Sequence, residues 1–266
     1  MCTLVLSYLQ HPDYPLIVAS NRDEFYDRPT ERASFWRDHP NLLAGRDLQN
    51  GGTWLGITKS GRFSALTNVR DLHAIRTHAP SRGELVLSTL LHPDPDPAAL
   101  HRIQPTAHLY NGFNLVTGTL RQLYYYSNVL NRSEPLHPGT YVMSNAFLNT
   151  PWPKSVKTKS RFEALIQEER LSSDDLSDKL FELMSDRETF PPEQLPDTGL
   201  SKEMEIRLSS TFIHTEDYGT RCTTIMKVDQ NGHTIFSEKT YEQGQDAGTT
   251  THEFLISANL SSDSTR

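Results

Sequence analysis

Met1-Cys2-Thr3-Leu4-Val5-Leu6-Ser7-Tyr8 opens the chain, a turn-like His11-Pro12-Asp13-Tyr14-Pro15 follows, and Leu16-Ile17-Val18-Ala19-Ser20 runs into Asn21-Arg22-Asp23-Glu24-Phe25. The stretches Thr3 to Tyr8 and Leu16 to Ser20 are rich in Leu, Val and Ile, and Pro-containing residues separate them. That pattern predicts a β-hairpin. Antiparallel pairing would bring the polar quartet at the end of the second strand beside Cys2, at the start of the first.

The same pattern recurs outward. Thr53 to Ile57 and Phe63 to Thr67 flank Lys59-Ser60-Gly61, with a tight turn at Asn50-Gly51-Gly52 before them. Phe113 to Thr117 and Gln122 to Asn128 flank Gly118-Thr119, and Tyr141 to Ser144 reads as a short strand. Thr223 to Val228 and Thr234 to Glu238 flank Asn231-Gly232, a hairpin turn dipeptide. Helices are expected from Ser81, where Ser81-Arg82-Gly83-Glu84 fits a capping box, to the Pro-rich run after His92. Two more are expected over Ser160 to Glu169 and Asp174 to Ser185, each with one apolar face. Phe190 to Leu200, with three prolines, reads as a loop. Strands in hairpins rather than interleaved one-to-one with helices predict antiparallel sheets with helices layered on them, an α+β class. We expect a single domain over 1–256 and a flexible tail over 257–266.

Composition narrows the function. The net charge of -7 leaves no basic footprint for nucleic acid or an anionic membrane. No window is apolar enough for a transmembrane helix, and the N-terminus lacks the basic start of a secretory signal. The two cysteines, Cys2 and Cys222, imply a reducing compartment, hence the cytoplasm. Neither sits in a CxxC pair and no histidine spacing suits a ligand set, so no metal site is expected.

Cys2 is the most informative residue. A chain that loses Met1 begins with a Cys carrying a thiol and an α-amine, whose reference pKa of about 7.7–8.0 suits a base that activates the thiol. Against this, a free Cys is often a small buried hydrophobe. Asn21, Arg22, Asp23 and Glu24 could hold an amine and steady a carboxylate, or form a solvated loop of local ion pairs. Cys222 reads as a packed core thiol and Trp54 as core.

Asn21-Arg22-Asp23-Glu24 is the signature of the NRDE family, also called the transport and Golgi organisation protein 2 family, and the chain resembles that family well beyond it. Similar blocks are Met1-Cys2-Thr3, Ala19 to Pro29, Ala44-Gly45-Arg46-Asp47, Gly51 to Gly56, Ala65 to Arg70, Ser81 to Glu84, Tyr110 to Asn114, Tyr141 to Asn145, Trp152-Pro153-Lys154 and Tyr218 to Thr224. The family is distantly similar to the choloylglycine-hydrolase branch of N-terminal-nucleophile hydrolases. That resemblance implies a four-layer αββα sandwich. It also implies Cys2 as nucleophile, Asn68 and Asn145 as oxyanion donors, and Arg221 as a late arginine of the site that, with Arg22, grips a ligand's anion. Asn68 and Asn145 could instead cap turns, and Arg221 could serve a structural ion pair. The hydrolases space their Arg and Asp three apart, whereas Arg22 and Asp23 are adjacent. Either Asp23 takes the acidic role with a displaced Arg, or Glu24 does with Asn21 in the Arg position.

The resemblance implies two functions and leaves a third open. One is hydrolysis of an amide or thioester of an acylated small molecule, in lipid or acyl-CoA homeostasis. Another is a non-catalytic carrier of an amphipathic ligand, with haem as cargo rather than cofactor; no cofactor is expected. The third is a secretory-pathway or Golgi organisation factor. A Golgi-associated or mitochondrial pool beside the cytoplasmic one follows from the same resemblance.

Overall fold

The computed structural model describes residues 2–93, 97–168 and 171–257. The first hairpin forms as expected. β1 (Cys2–Tyr8) pairs antiparallel with β2 (Leu16–Phe25) in a register that sets Cys2 opposite Arg22. β2 runs further than its apolar run: the quartet Asn21 to Glu24 lies inside the strand, with its first three members buried. It is no solvated loop, because a second strand covers it. β11 (Tyr218–Val228) pairs along the other edge of β2, setting Cys222 opposite the same Arg22 across a bulge between Thr220 and Cys222.

Two antiparallel sheets result. The first runs β10 (Gly139–Met143), β1, β2, β11, β12 (His233–Glu242), β13 (Gln245–Leu255). The second runs in chain order through β3 (Thr30–Phe35), β4 (Leu42–Asp47), β5 (Leu55–Thr58), β6 (Arg62–Asn68), β7 (Phe113–Thr119), β8 (Gln122–Ser127) and β9 (Arg132–Pro135). Strand alternation sorts side chains by face. Leu4, Leu6, Leu16 and Val18 pack between the sheets against Leu55, Ile57, Phe63 and Val116. Val5, Ile17 and Ala19 face the other way, onto Phe162 of α3 (Pro153–Ile166) and Leu176 and Leu180 of α4 (Ser173–Met184). The outer face of the second sheet carries α1 (Gly83–Leu90) and α2 (Ala98–Ile103), with Leu85, Val86 and Leu100 on Phe113 and Leu115. α5 (Lys202–Arg207) stands before β11. This is the four-layer αββα sandwich.

Several local expectations change. The helix from Ser81 starts at Gly83 with Arg82 as its N-cap and no side-chain cap bond; Glu84 instead accepts a hydrogen bond from Tyr110. The Ser160 helix begins at Pro153, where proline's fixed φ suits a first turn, and Glu169 lies outside the described residues. Ser257, expected in the tail, is tied by its amide and hydroxyl to Lys59 O; positions 258–266 lie outside the described residues.

Candidate functional site

The inner face of β1 and β2 ends in a row of polar groups where the two sheets part. Cys2, Arg22 and Glu24 share this face with Leu4 and Leu16, and they line a cleft of about 230 Å³ with Asp23, Asn68, Trp54, Arg28, Asp47 and Arg82. Cys2 is buried, 8% exposed, at its inner end. Burial raises the thiol above its ordinary pKa; Asp23 pushes the same way, while the Arg22 charge opposes them.

Trp54 is the plate on which the site rests. Gly45 of β4 permits it: a Cβ there would stand 2.3 Å from the indole. The Arg22 guanidinium stacks 4.3 Å above the Trp54 ring and donates to Thr30 Oγ1 at 3.1 Å, so β2 is tied across the sandwich to the start of β3 and to the residue that leads into β5. Gly52 performs a similar service for Arg82. A Cβ on Gly52 would meet the Gly83 carbonyl carbon at 2.5 Å, and the close approach lets Thr53 N donate to Gly83 O. The loop that begins α1 is thereby drawn to the cleft. Arg82 donates to Gly112 O; burial lowers its pKa, against which the Cys2 and Glu24 charges act first. Arg28 forks onto Asp47 at 3.2 and 2.7 Å and stands 3.8 Å from Glu24.

The quartet divides by face. Asn21 points away from Cys2 into the helical layer, where Nδ2 donates to Met184 O at 2.8 Å and Thr211 O at 2.9 Å, and Oδ1 accepts from Thr223 at 2.6 Å. Asp23 stands at the strand end beside Cys2; its Oδ1 accepts from Thr220 at 2.7 Å, and burial raises its pKa against the pull of Lys154. Glu24 opens onto the cleft and accepts from Phe25 N at 3.0 Å. Asp23 and Glu24 both line the cleft, as does Arg22, whereas Asn21 points away from Cys2.

Asn68 ends β6 in the facing sheet and lines the cleft opposite Cys2. Asn145 follows β10, the neighbour of β1, and braces Asn68 from behind: its Nδ2 donates to Asn68 O at 3.3 Å, and its own carbonyl accepts from Arg70 N. Arg221 lies elsewhere. It occupies the bulge on β11, donates to Phe25 O and Arg28 O, and lines a neighbouring cavity rather than the Cys2 cleft. It holds the loop that carries Arg28. Cys222 is 4% exposed and packs among the inter-sheet residues, as expected of a core thiol. No cluster of three metal-ligating side chains occurs among the described residues.

Arg28 and Arg82 line the cleft and Lys154 acts on Asp23 through its charge, yet none carries a motif signal of its own; each sits inside a block that the family resemblance spans. Lys154, on the first turn of α3, is buried with its ammonium on Leu208 O at 2.9 Å. Burial brings its pKa down to about 8, with Asp23 the first group opposing that. Because the folded pKa lies below the unfolded one, the unfolded chain binds more protons between about pH 8 and 10.5, and stability rises with pH across that window. The unfolding free energy of the wild type relative to Lys154→Met is therefore expected to climb by up to about 3 kcal/mol between pH 8 and 10.5 and to stay flat below 8. Denaturant titrations at several pH values test this; a difference that falls with pH would show the attraction to Asp23 outweighing burial.

The architecture is that of the N-terminal-nucleophile hydrolases. It superposes on the C2A mutant of the conjugated bile acid hydrolase from Clostridium perfringens with a TM-score of 0.51, covering 98% of this chain and 99% of that one, at 8% identity. Over residues 1–243 the sequence matches the family described as Transport and Golgi organisation 2. It is 37% identical to the Transport and Golgi organization protein 2 homolog of Bos taurus, over 96% of this chain and 99% of the relative. It is 30% identical to the Transport and Golgi organization protein 2 of Drosophila melanogaster, over 90% and 92%. The chain belongs to the transport and Golgi organisation 2 family. No helix among the described residues is long and apolar enough to cross a membrane.

Proposed function

We propose that the Cys2 cleft binds an acylated small molecule and cleaves its amide or thioester bond once Met1 is removed. The observation that carries this is the convergence of Cys2, Arg22, Asp23 and Asn68 on one cleft from three strands of two sheets. The raised thiol pKa means that the nucleophile needs a base, and the α-amine freed on Cys2 is the base nearest to hand. In this reading the amine takes the thiol proton and the thiolate attacks the carbonyl carbon. The oxyanion that forms is held by the Asn68 amide and by backbone amides. Collapse breaks the C–N or C–S bond, and the ammonium gives its proton to the leaving group. Water then attacks the thioester on Cys2 and its proton passes to the amine; collapse breaks the C–S bond, the acid leaves, and the ammonium returns the proton to the Cys2 thiolate. Asp23 steadies the ammonium, and the fold shared with a bile acid hydrolase supports the assignment as an analogy of scaffold.

Intact-mass spectrometry of protein from its own cells, before and after exposure to short- and long-chain acyl thioesters and amides, is the test. The expected result is a chain lacking Met1 and a transient single acyl adduct on Cys2. A retained or acetylated Met1 would sink the reading.

Arg22, Arg28 and Arg82 around one cleft favour a second reading, a carrier that grips the carboxylates or phosphates of an amphipathic lipid or haem without turnover. On either reading the protein works in the cytoplasm, with a Golgi-associated or mitochondrial pool that follows its ligand. The family's name keeps a part in secretory organisation as the third.

A further inference from the structure

A second cavity, of about 120 Å³, lies on the far side of the Arg22–Trp54 stack, and Trp54 lines both. Cys2 and Cys222 flank Arg22 in register on neighbouring strands; Cys2 lines the first cavity and Cys222 the second. The second cavity is lined by Cys222, Glu238, Tyr241 and Arg221, with the exposed Glu31, Arg32 and Glu242 at its rim. None of these belongs to the cleft around Cys2.

Glu238 is the anomaly. It is 2% exposed, its Oε1 accepts from Ala33 N at 2.7 Å, and its buried Oε2 makes no hydrogen bond of good geometry, with the Cys222 thiol and the Thr224 hydroxyl its weak side-chain neighbours. A poorly satisfied carboxyl oxygen in the interior is costly, so a folded chain keeps one where something else completes it. Burial raises the pKa of this carboxyl, against the help of Ala33 N, Cys222 and Arg22; a cation at Oε2 would favour its ionised form. Arg221 stands in the wall with the opposite need. One terminal nitrogen donates to the Phe25 and Arg28 carbonyls, and no carboxylate neutralises the guanidinium among the described residues. The rim charges are screened by water, so Glu238 and Arg221 set the character of the cavity: an acceptor at the floor and a cation in the wall.

We propose that this cavity is a second ligand subsite, which takes a small zwitterion of the amino-acid class with its ammonium on Glu238 Oε2 and its carboxylate on Arg221. The volume suits a ligand of a few heavy atoms and excludes an acyl chain or a macrocycle. Trp54 lines both this subsite and the Cys2 cleft and carries the stacked Arg22, so occupancy is felt at the Cys2 cleft through that indole.

Calorimetric titration of the full chain with glycine and alanine tests the subsite, with ethylamine and acetate as single-charge controls. Saturable zwitterion binding is expected, at least tenfold tighter than either control, and weakened at least tenfold by Glu238→Gln and by Arg221→Met. Cys2→Ala should leave it unchanged, which separates this subsite from the proposed acyl chemistry. Thr240→Trp, which fills the cavity from its rim without touching the buried carboxyl, should abolish binding even if Glu238→Gln fails to fold. Absence of zwitterion binding, or binding indifferent to Thr240→Trp and Arg221→Met, overturns the proposal.

Discussion

Cys2→Ala is expected to reduce acyl-bond cleavage at least about a thousandfold, to the uncatalysed background, while the protein stays folded. The fold should survive because the sulfur sits at the inner end of an open cleft rather than inside one of the apolar layers. Losing one small buried group there costs on the order of 1 kcal/mol. Asn68→Ala should be intermediate. Its side chain faces the cleft, while its strand position is kept by backbone pairing to Phe113 and by Asn145 on its carbonyl. Removing one oxyanion donor typically costs about 2.7–4 kcal/mol of barrier, or roughly 10²–10³ in kcat. Single-turnover rates with an acyl thioester, alongside equilibrium binding of a non-hydrolysable analogue, check both variants. An enzyme loses rate and keeps binding in each. Wild-type rates in Cys2→Ala would remove Cys2 as the nucleophile, whereas binding with no turnover in either protein would leave the carrier reading, in which the arginines alone hold the ligand.

The hairpin that organises this site was legible because its signal is local: apolar runs, a proline turn, and antiparallel register that forces Cys2 opposite Arg22. The helical layers were legible as apolar faces, although α3 starts earlier than its apolar period shows. What escaped is what packing decides. β3 and β13 are edge strands, half exposed and rich in charged or hydroxyl side chains, so they lack the apolar alternation that marks a strand with a buried face. α5 is only six residues long. In the site, nothing in the spacing announces that Trp54 lies flat because Gly45 makes room, or that Gly52 draws Arg82 inward. Arg221 illustrates the converse. Its match to the late arginine of the resembled hydrolases placed it in the Cys2 cleft, but a bulge at Thr220/Cys222 turns it onto the Phe25 and Arg28 carbonyls and the neighbouring cavity.

Asn21→Ala is expected to destabilise the protein by about 3–4 kcal/mol, lowering the thermal midpoint by roughly 10 °C, with little effect on ligand affinity in whatever remains folded. Asn21 is fully buried, and its amide completes three groups from three elements: the last carbonyl of α4, the Thr211 carbonyl before β11, and the Thr223 hydroxyl on β11. Truncation leaves both carbonyls without a donor; Thr223 alone can turn to Tyr241. Asn21→Asp keeps the shape and should be at least as damaging near neutral pH, because an acceptor-only carboxylate then faces two carbonyls. Protonation restores one donor, so that variant's folded carboxyl has a raised pKa and its stability should recover as pH falls. Glu24→Gln is the contrast within the same tetrapeptide. Glu24 is partly exposed, its ion pair with Arg28 is 3.8 Å long, and its loss should cost no more than about 1 kcal/mol. Denaturant unfolding of the three variants measures this division. If Asn21→Ala proved as stable as the wild type but weakened ligand binding, the quartet would act as one functional unit and its split between an outer structural face and an inner reactive one would be wrong.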